Sequence, residues 1–97
     1  MNETPSPCRE TIRVIYSGRV QGVGFRFTTR DIATRFPVMG FVRNQPDGSV
    51  ELVAQGDSTA VRRFLDAVTE RFRWNIRGYD ESPVMDETEL ISFEIRR

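Results

Sequence analysis

Apolar and polar residues alternate with a period of two in TIRVIYS, where Ile12, Val14 and Tyr16 share one side. The β-branched content and the alternation predict a first strand over Thr11 to Ser17. Beyond a glycine-rich stretch the period changes: Phe25, Ile32, Ala33 and Phe36 fall on one helical stripe, with Arg30, Asp31 and Arg35 outside it. Pro37 ends that helix. Val38 to Asn44 (VMGFVRN) and Ser49 to Gln55 (SVELVAQ) read as a second and a third strand. Between them QPDG carries proline, aspartate and glycine in the order of a type I hairpin turn with a glycine bulge.

Gly56-Asp57-Ser58 supplies a break and an N-cap, after which Val61, Phe64, Leu65 and Val68 repeat at i, i+3, i+4 and i+7. This is a second amphipathic helix. Phe72, Trp74 and Ile76 alternate with arginines and predict a fourth strand with a basic face. Asp80 to Glu89 reads as an acidic, solvated connection without calcium-loop spacing, and Leu90 to Arg97 as a last strand. Residues 1–9 hold two prolines and no periodicity, so they read as a flexible tail ahead of one domain over 10–97. The order βαββαβ with an extra short C-terminal strand predicts an α+β, ferredoxin-like two-layer sandwich: an antiparallel sheet with both helices on one face.

Composition narrows the chemistry. The chain has 97 residues, enough for one core. No apolar run nears the roughly 18 residues that span a bilayer, and the first ten residues have no secretory pattern; no membrane partner and a cytoplasmic location are expected. There is one cysteine, Cys8, and no histidine, which excludes an internal disulfide, a zinc cluster and any triad with a histidine base. Fourteen acidic residues balance fourteen basic ones, all arginine. That balance gives no broad positive field for nucleic acid, so no nucleic-acid partner is expected even though Arg73 and Arg77 flank Trp74 and Ile76. The arginine bias itself reads as genomic base composition.

One segment stands out against this background. Gly18 to Arg26 reads GRVQGVGFR, with spacing G-x-x-x-G-x-G, which is neither the dinucleotide fingerprint nor the Walker pattern. Glycines alone would suit either a plain strand-to-helix turn or an anion cradle. Arg26 at the opening of a helix favours the cradle, since helix-start amides leave room for a charge on the remaining oxygens of a phosphoryl group. Asn44, at the end of the second strand, is by itself an ordinary turn residue.

Taken together, GRVQGVGFR, GFVRN and DGSV resemble the acylphosphatase family, from about Ile12 to Gln55 with supporting pattern out to FEIRR. The resemblance implies that Val20, Gln21, Gly22, Val23, Gly24, Phe25 and Arg26 surround a phosphate, that Arg26 binds the phosphoryl group and that Asn44 orients the attacking water. Phe41 stands where the family commonly has an indole, and the region from Phe72 to Glu89 follows the family pattern poorly. The implied activity is metal-independent hydrolysis of the carboxyl-phosphate anhydride of a small acyl phosphate, such as acetyl phosphate or 1,3-bisphosphoglycerate, by a monomer without cofactors. A carboxylate leaving group has a conjugate-acid pKa of about 4, so it departs without a general acid. The other reading is a non-catalytic or carbamoyl-phosphate-type module that binds a phosphoanion.

Overall fold

The computed structural model describes residues 8–86 and 88–97. Its elements are β1 (Arg9–Gly18), α1 (Phe25–Ala33), β2 (Met39–Asn44), β3 (Val50–Asp57), α2 (Ser58–Arg71), β4 (Ile76–Pro83) and β5 (Phe93–Arg96). The strands form one sheet in the order β4-β1-β3-β2-β5. Val14 and Tyr16 on β1, Val42 on β2 and Leu52 and Ala54 on β3 meet Phe25 and Ile32 of α1 and Val61, Phe64, Leu65 and Val68 of α2 in one buried cluster. The two-layer ferredoxin-like sandwich is therefore built by the alternating and helical stripes of the sequence.

The hairpin turn forms as its residues require. Gly48 has φ +94°, its N–H donates to the Gln45 carbonyl, and the Gln45 N–H donates to the Ser49 carbonyl at 2.8 Å. Gly56 does not interrupt the third strand, which runs on through Asp57. A side chain there would meet the Pro37 carbonyl at 2.9 Å, so this glycine permits close approach. Asp57 takes the N-cap position of α2, but its side chain makes no capping hydrogen bond.

Three expectations need correction. Phe72 does not begin a strand: it closes α2, one turn beyond Val68 on the same buried stripe, and Trp74 lies in the turn that follows with 87% of its surface exposed. The fourth strand begins only at Ile76 and takes in Asp80 to Pro83, which the sequence places in a loop. As an edge strand, β4 is held by its backbone pairing to β1 and needs no apolar alternation. The N-terminal strand likewise begins at Arg9, which pairs with Asp57; the rest of the expected tail, apart from Cys8, lies outside the described residues.

The sheet is also mixed, because β5 runs parallel to β2. β4 ends beside the start of β1, where Pro83 pairs with Ile12. The chain then crosses to the opposite edge at that same end of the sheet. Val84 N–H donates to the Thr11 carbonyl, Gln55 Nε2 to the Thr88 carbonyl, Leu90 N–H to Gln55 Oε1 and Gly40 N–H to the Ser92 carbonyl. A strand launched from there must run the same way as β2.

The face turned away from the helices carries a charged bridge. Glu51 is buried and accepts from Arg13 Nε on β1 at 2.5 Å and from Arg43 Nε on β2 at 2.6 Å. Burial pushes its carboxyl up, but the two guanidinium groups outweigh burial and leave its pKa below the ordinary carboxylate value.

Two stability predictions follow from this packing. A Cβ on Gly40 (φ +151°) would lie 1.8 Å from the Val53 carbonyl oxygen, so Gly40→Ala is expected to cost about 4 kcal/mol in urea unfolding. Gly48→Ala meets only open space and should cost about 1 kcal/mol, from backbone strain alone. Separately, burial pushes the Tyr16 phenol up to about 12, against the Thr69 side chain, which pulls it down. The native state keeps a proton that the unfolded chain loses near its ordinary value of 10. Stability is thus complete below pH 10 and falls by about 3 kcal/mol as pH rises to 12; Tyr16→Phe should flatten that loss in alkaline melts.

Candidate active site

β1 and β2 both run antiparallel to β3, so their C-terminal ends lie at the same end of the sheet. The glycine loop that leads into α1 issues from the end of β1, and Asn44, the last residue of β2, stands at that same end of the sheet. The loop is pinned at both sides of its exposed middle. Val20 is fully buried, and the Phe25 ring stacks on Phe72 at 4.3 Å and lies 5.3 Å from Tyr16, between centroids. Between these pegs Gly22 and Gly24 take φ +77° and +79°, with nothing within 4 Å of where a side chain would start. Glycine is needed there for the left-handed backbone, not for space.

That backbone leaves a row of donors exposed. Thr28 is the first residue of α1 whose N–H is taken up, by the Gly24 carbonyl at 3.0 Å. Among the described residues, no N–H group from Gln21 to Phe27 donates to a backbone carbonyl. The first turn of α1 holds no acidic residue, so nothing offsets the positive end of the helix dipole. Arg26 is half-buried, and among the described residues its side chain has no ion-pair or hydrogen-bond partner; the same holds for the hydrogen bonds of Asn44. Residues carrying these free amides, together with Arg26 and Asn44, share one cavity of about 110 Å³ lined by Val20, Gly22, Gly24, Phe25, Arg26, Phe27 and Asn44.

Six of the eight residues expected from the sequence are therefore brought together, and two are not on the wall. Val23 points outward at the loop's tip. Gln21 turns its side chain the other way: Nε2 donates to the carbonyls of Gln45 and Ser49, both at 2.8 Å. It ties the loop to the hairpin that carries Asn44. The start of the loop has a second fastening. The Arg19 N–H donates to the Asn75 carbonyl at 2.8 Å, and a Cβ on Gly18 would clash with that same oxygen at 2.5 Å. Neither fastening was legible in advance, since each joins segments far apart in the chain. Phe27, missed as a wall residue, carried one signal: an apolar residue off the buried stripe of α1.

A row of free amides at a helix N-terminus on a ferredoxin-like sandwich is an arrangement suited to a tetrahedral anion. Comparison with known proteins takes this further. A family model described as Acylphosphatase matches residues 12–95, and the chain belongs to that family. The acylphosphatase of Oceanobacillus iheyensis is 39% identical over 88 residues, covering 88% of this chain and 96% of the relative. That of Rhizobium etli is 47% identical over 85 residues, covering 88% and 84%. The crystal structure of acylphosphatase from Bacillus subtilis superposes with a TM-score of 0.81 at 28% identity, over 93% of this chain and 100% of the other.

The Gln21 tether generates a test. Gln21→Ala removes both hydrogen bonds and leaves every cradle amide in the chain, so affinity for inorganic phosphate should fall about tenfold by isothermal titration. Gln21→Glu would set a carboxylate against two carbonyls and should fall further.

Proposed function

We infer that this chain hydrolyses acyl phosphates to a carboxylate and inorganic phosphate, with the phosphoryl group held by the cradle. The observation that carries this reading is that residues with free amides, together with Arg26 and Asn44, share one cavity of about 110 Å³. The amides and the guanidinium face the phosphoryl oxygens, where charge is spread in a loose transition state, and they need no reorganisation during the reaction. Asn44 is not a base. Its carboxamide orients water, accepting from it through Oδ1.

The water oxygen forms the new bond to phosphorus as the bond from phosphorus to the acyl oxygen breaks, and that electron pair leaves on the carboxylate. The proton of the water passes to an oxygen of the phosphoryl group itself. A carboxylate needs no proton to depart, because its conjugate acid has a pKa of about 4. This reaction is within reach of a chain with no histidine. Among the described residues no group of three acidic, cysteine or histidine side chains is placed to hold a metal, and the mechanism invokes none.

The same reading has the protein acting as a monomer in the cytoplasm, on a small-molecule substrate and not on nucleic acid. In support, among the described residues no helix is long and apolar enough to cross a membrane, and formal net charge is zero. Of the residues behind a nucleic-acid reading, Arg73 and Trp74 sit in a turn, with the Arg73 guanidinium 5.1 Å from the Trp74 ring, so that only Ile76 and Arg77 lie on a strand.

Benzoyl phosphate hydrolysis followed by absorbance tests the roles. Arg26→Ala is expected to lose both phosphate binding and turnover, the latter by at least about 10²–10³. Asn44→Ala should keep phosphate binding and lose turnover, and chelator should leave the wild-type rate unchanged. Equal loss of binding in both variants would contradict the assignment.

A further inference from the structure

The cradle cavity is small. At about 110 Å³ it offers the space of three or four waters, at roughly 30 Å³ each, which a phosphoryl group and the attacking water fill. The acyl group of a substrate must lie outside it. Beside it lies a hollow of about 610 Å³ between α1 and the start of β5, and Phe27 forms a wall of both. Its other apolar walls are Ala33, Val38, Met39, Ile91 and Phe93.

We propose that this groove receives the acyl group, and that the enzyme is selective for acyl phosphates with an extended apolar acyl chain. The inference rests on the acyl phosphate reading of the cradle. Phe27 directly follows Arg26 and is 67% exposed, while Ile91 on the far side is 90% exposed. Two large apolar side chains thus flank the groove without being needed by the core, and a bound apolar chain would cover them. The α1 wall from Phe27 to Thr34 runs about 10 Å at 1.5 Å per residue, the reach of a chain of roughly seven carbon–carbon bonds.

The charged residues of the groove fit that occupant. Arg30, itself exposed, sets its guanidinium 5.2 Å from the centre of the Phe27 ring, which steadies the ring. Asp31 faces Arg35 at 3.4 Å. The phosphate anchors one end of the substrate in the cradle, so apolar contact further along is made within a single bound molecule. Each buried methylene strengthens binding about fourfold.

The test compares octanoyl phosphate with acetyl phosphate on the full chain. Wild type should show a kcat/KM about 10²-fold higher on octanoyl phosphate, the gain from burying about half of its six additional methylenes in the open groove, and the gain should lie in KM. Phe27→Ala and Ile91→Asp should each lower the ratio of the two kcat/KM values by about tenfold; Ile91 lies wholly on the surface, so folding is not at stake. Wild type that hydrolyses both substrates equally well, or variants that leave the ratio unchanged, would overturn the groove assignment alone. A dimer in sedimentation that Ile91→Asp dissolves, with an unchanged ratio, would make the groove a self-interface and overturn it too. Wild type that hydrolyses neither substrate would overturn the activity on which the inference rests.

Discussion

The site depends on one aromatic contact, the stacking of Phe25 on Phe72 beneath the first turn of α1. Phe25 is both the first residue of the helix and a member of the buried core, and Arg26 follows it directly. Hydrophobic burial therefore fixes the point from which the helix starts, and with it the direction of the N–H groups ahead of it. Phe72 in turn closes α2, so the two helices meet under the loop. Within the loop the Gln21 side chain supplies the one tether among the described residues, to the β2–β3 hairpin. The rest of the loop is placed by what lies at its ends.

A site made of main-chain donors has a particular chemical character. Amides cannot titrate, and a guanidinium group offers donors and no acceptor. In the proposed reaction the cradle concentrates and orients a phosphoryl group and serves as neither acid nor base. Reactions with a poor leaving group lie beyond it, whereas an anhydride with a carboxylate leaving group asks only for charge stabilisation and a placed water. Family membership, geometry and the absence of histidine point to the same limited demand.

Much of this was legible in local patterns. The alternation of Ile12, Val14 and Tyr16, the stripe of Val61, Phe64, Leu65 and Val68 and the Pro-Asp-Gly turn each state their structure within a few residues, and GRVQGVGFR marks the loop. What failed to show was of two kinds. Phe72, Trp74 and Ile76 fit a period of two, yet Phe72 also continues the stripe of α2, and the helix prevailed because its ring completes the core beneath Phe25. Edge strands were the other kind: β4 is mostly exposed and polar, and only its backbone pairing to β1 makes it a strand. Nor could a local pattern reveal that Gln21 reaches two carbonyls more than twenty residues away, or that Phe27 and Ile91 face one groove.

The fastening of Arg19 to Asn75 bears on how the molecule comes into being. β1 pairs with β3 on one side and β4 on the other, so the first strand made has both neighbours still to come during synthesis. Contacts between segments so distant form late, after the chain between them has been ordered. The glycine loop leaves the ribosome before its fastenings, since its start is held by Asn75 and its far peg by Phe72. A nascent chain halted anywhere within α2 would carry every cradle residue and no cradle.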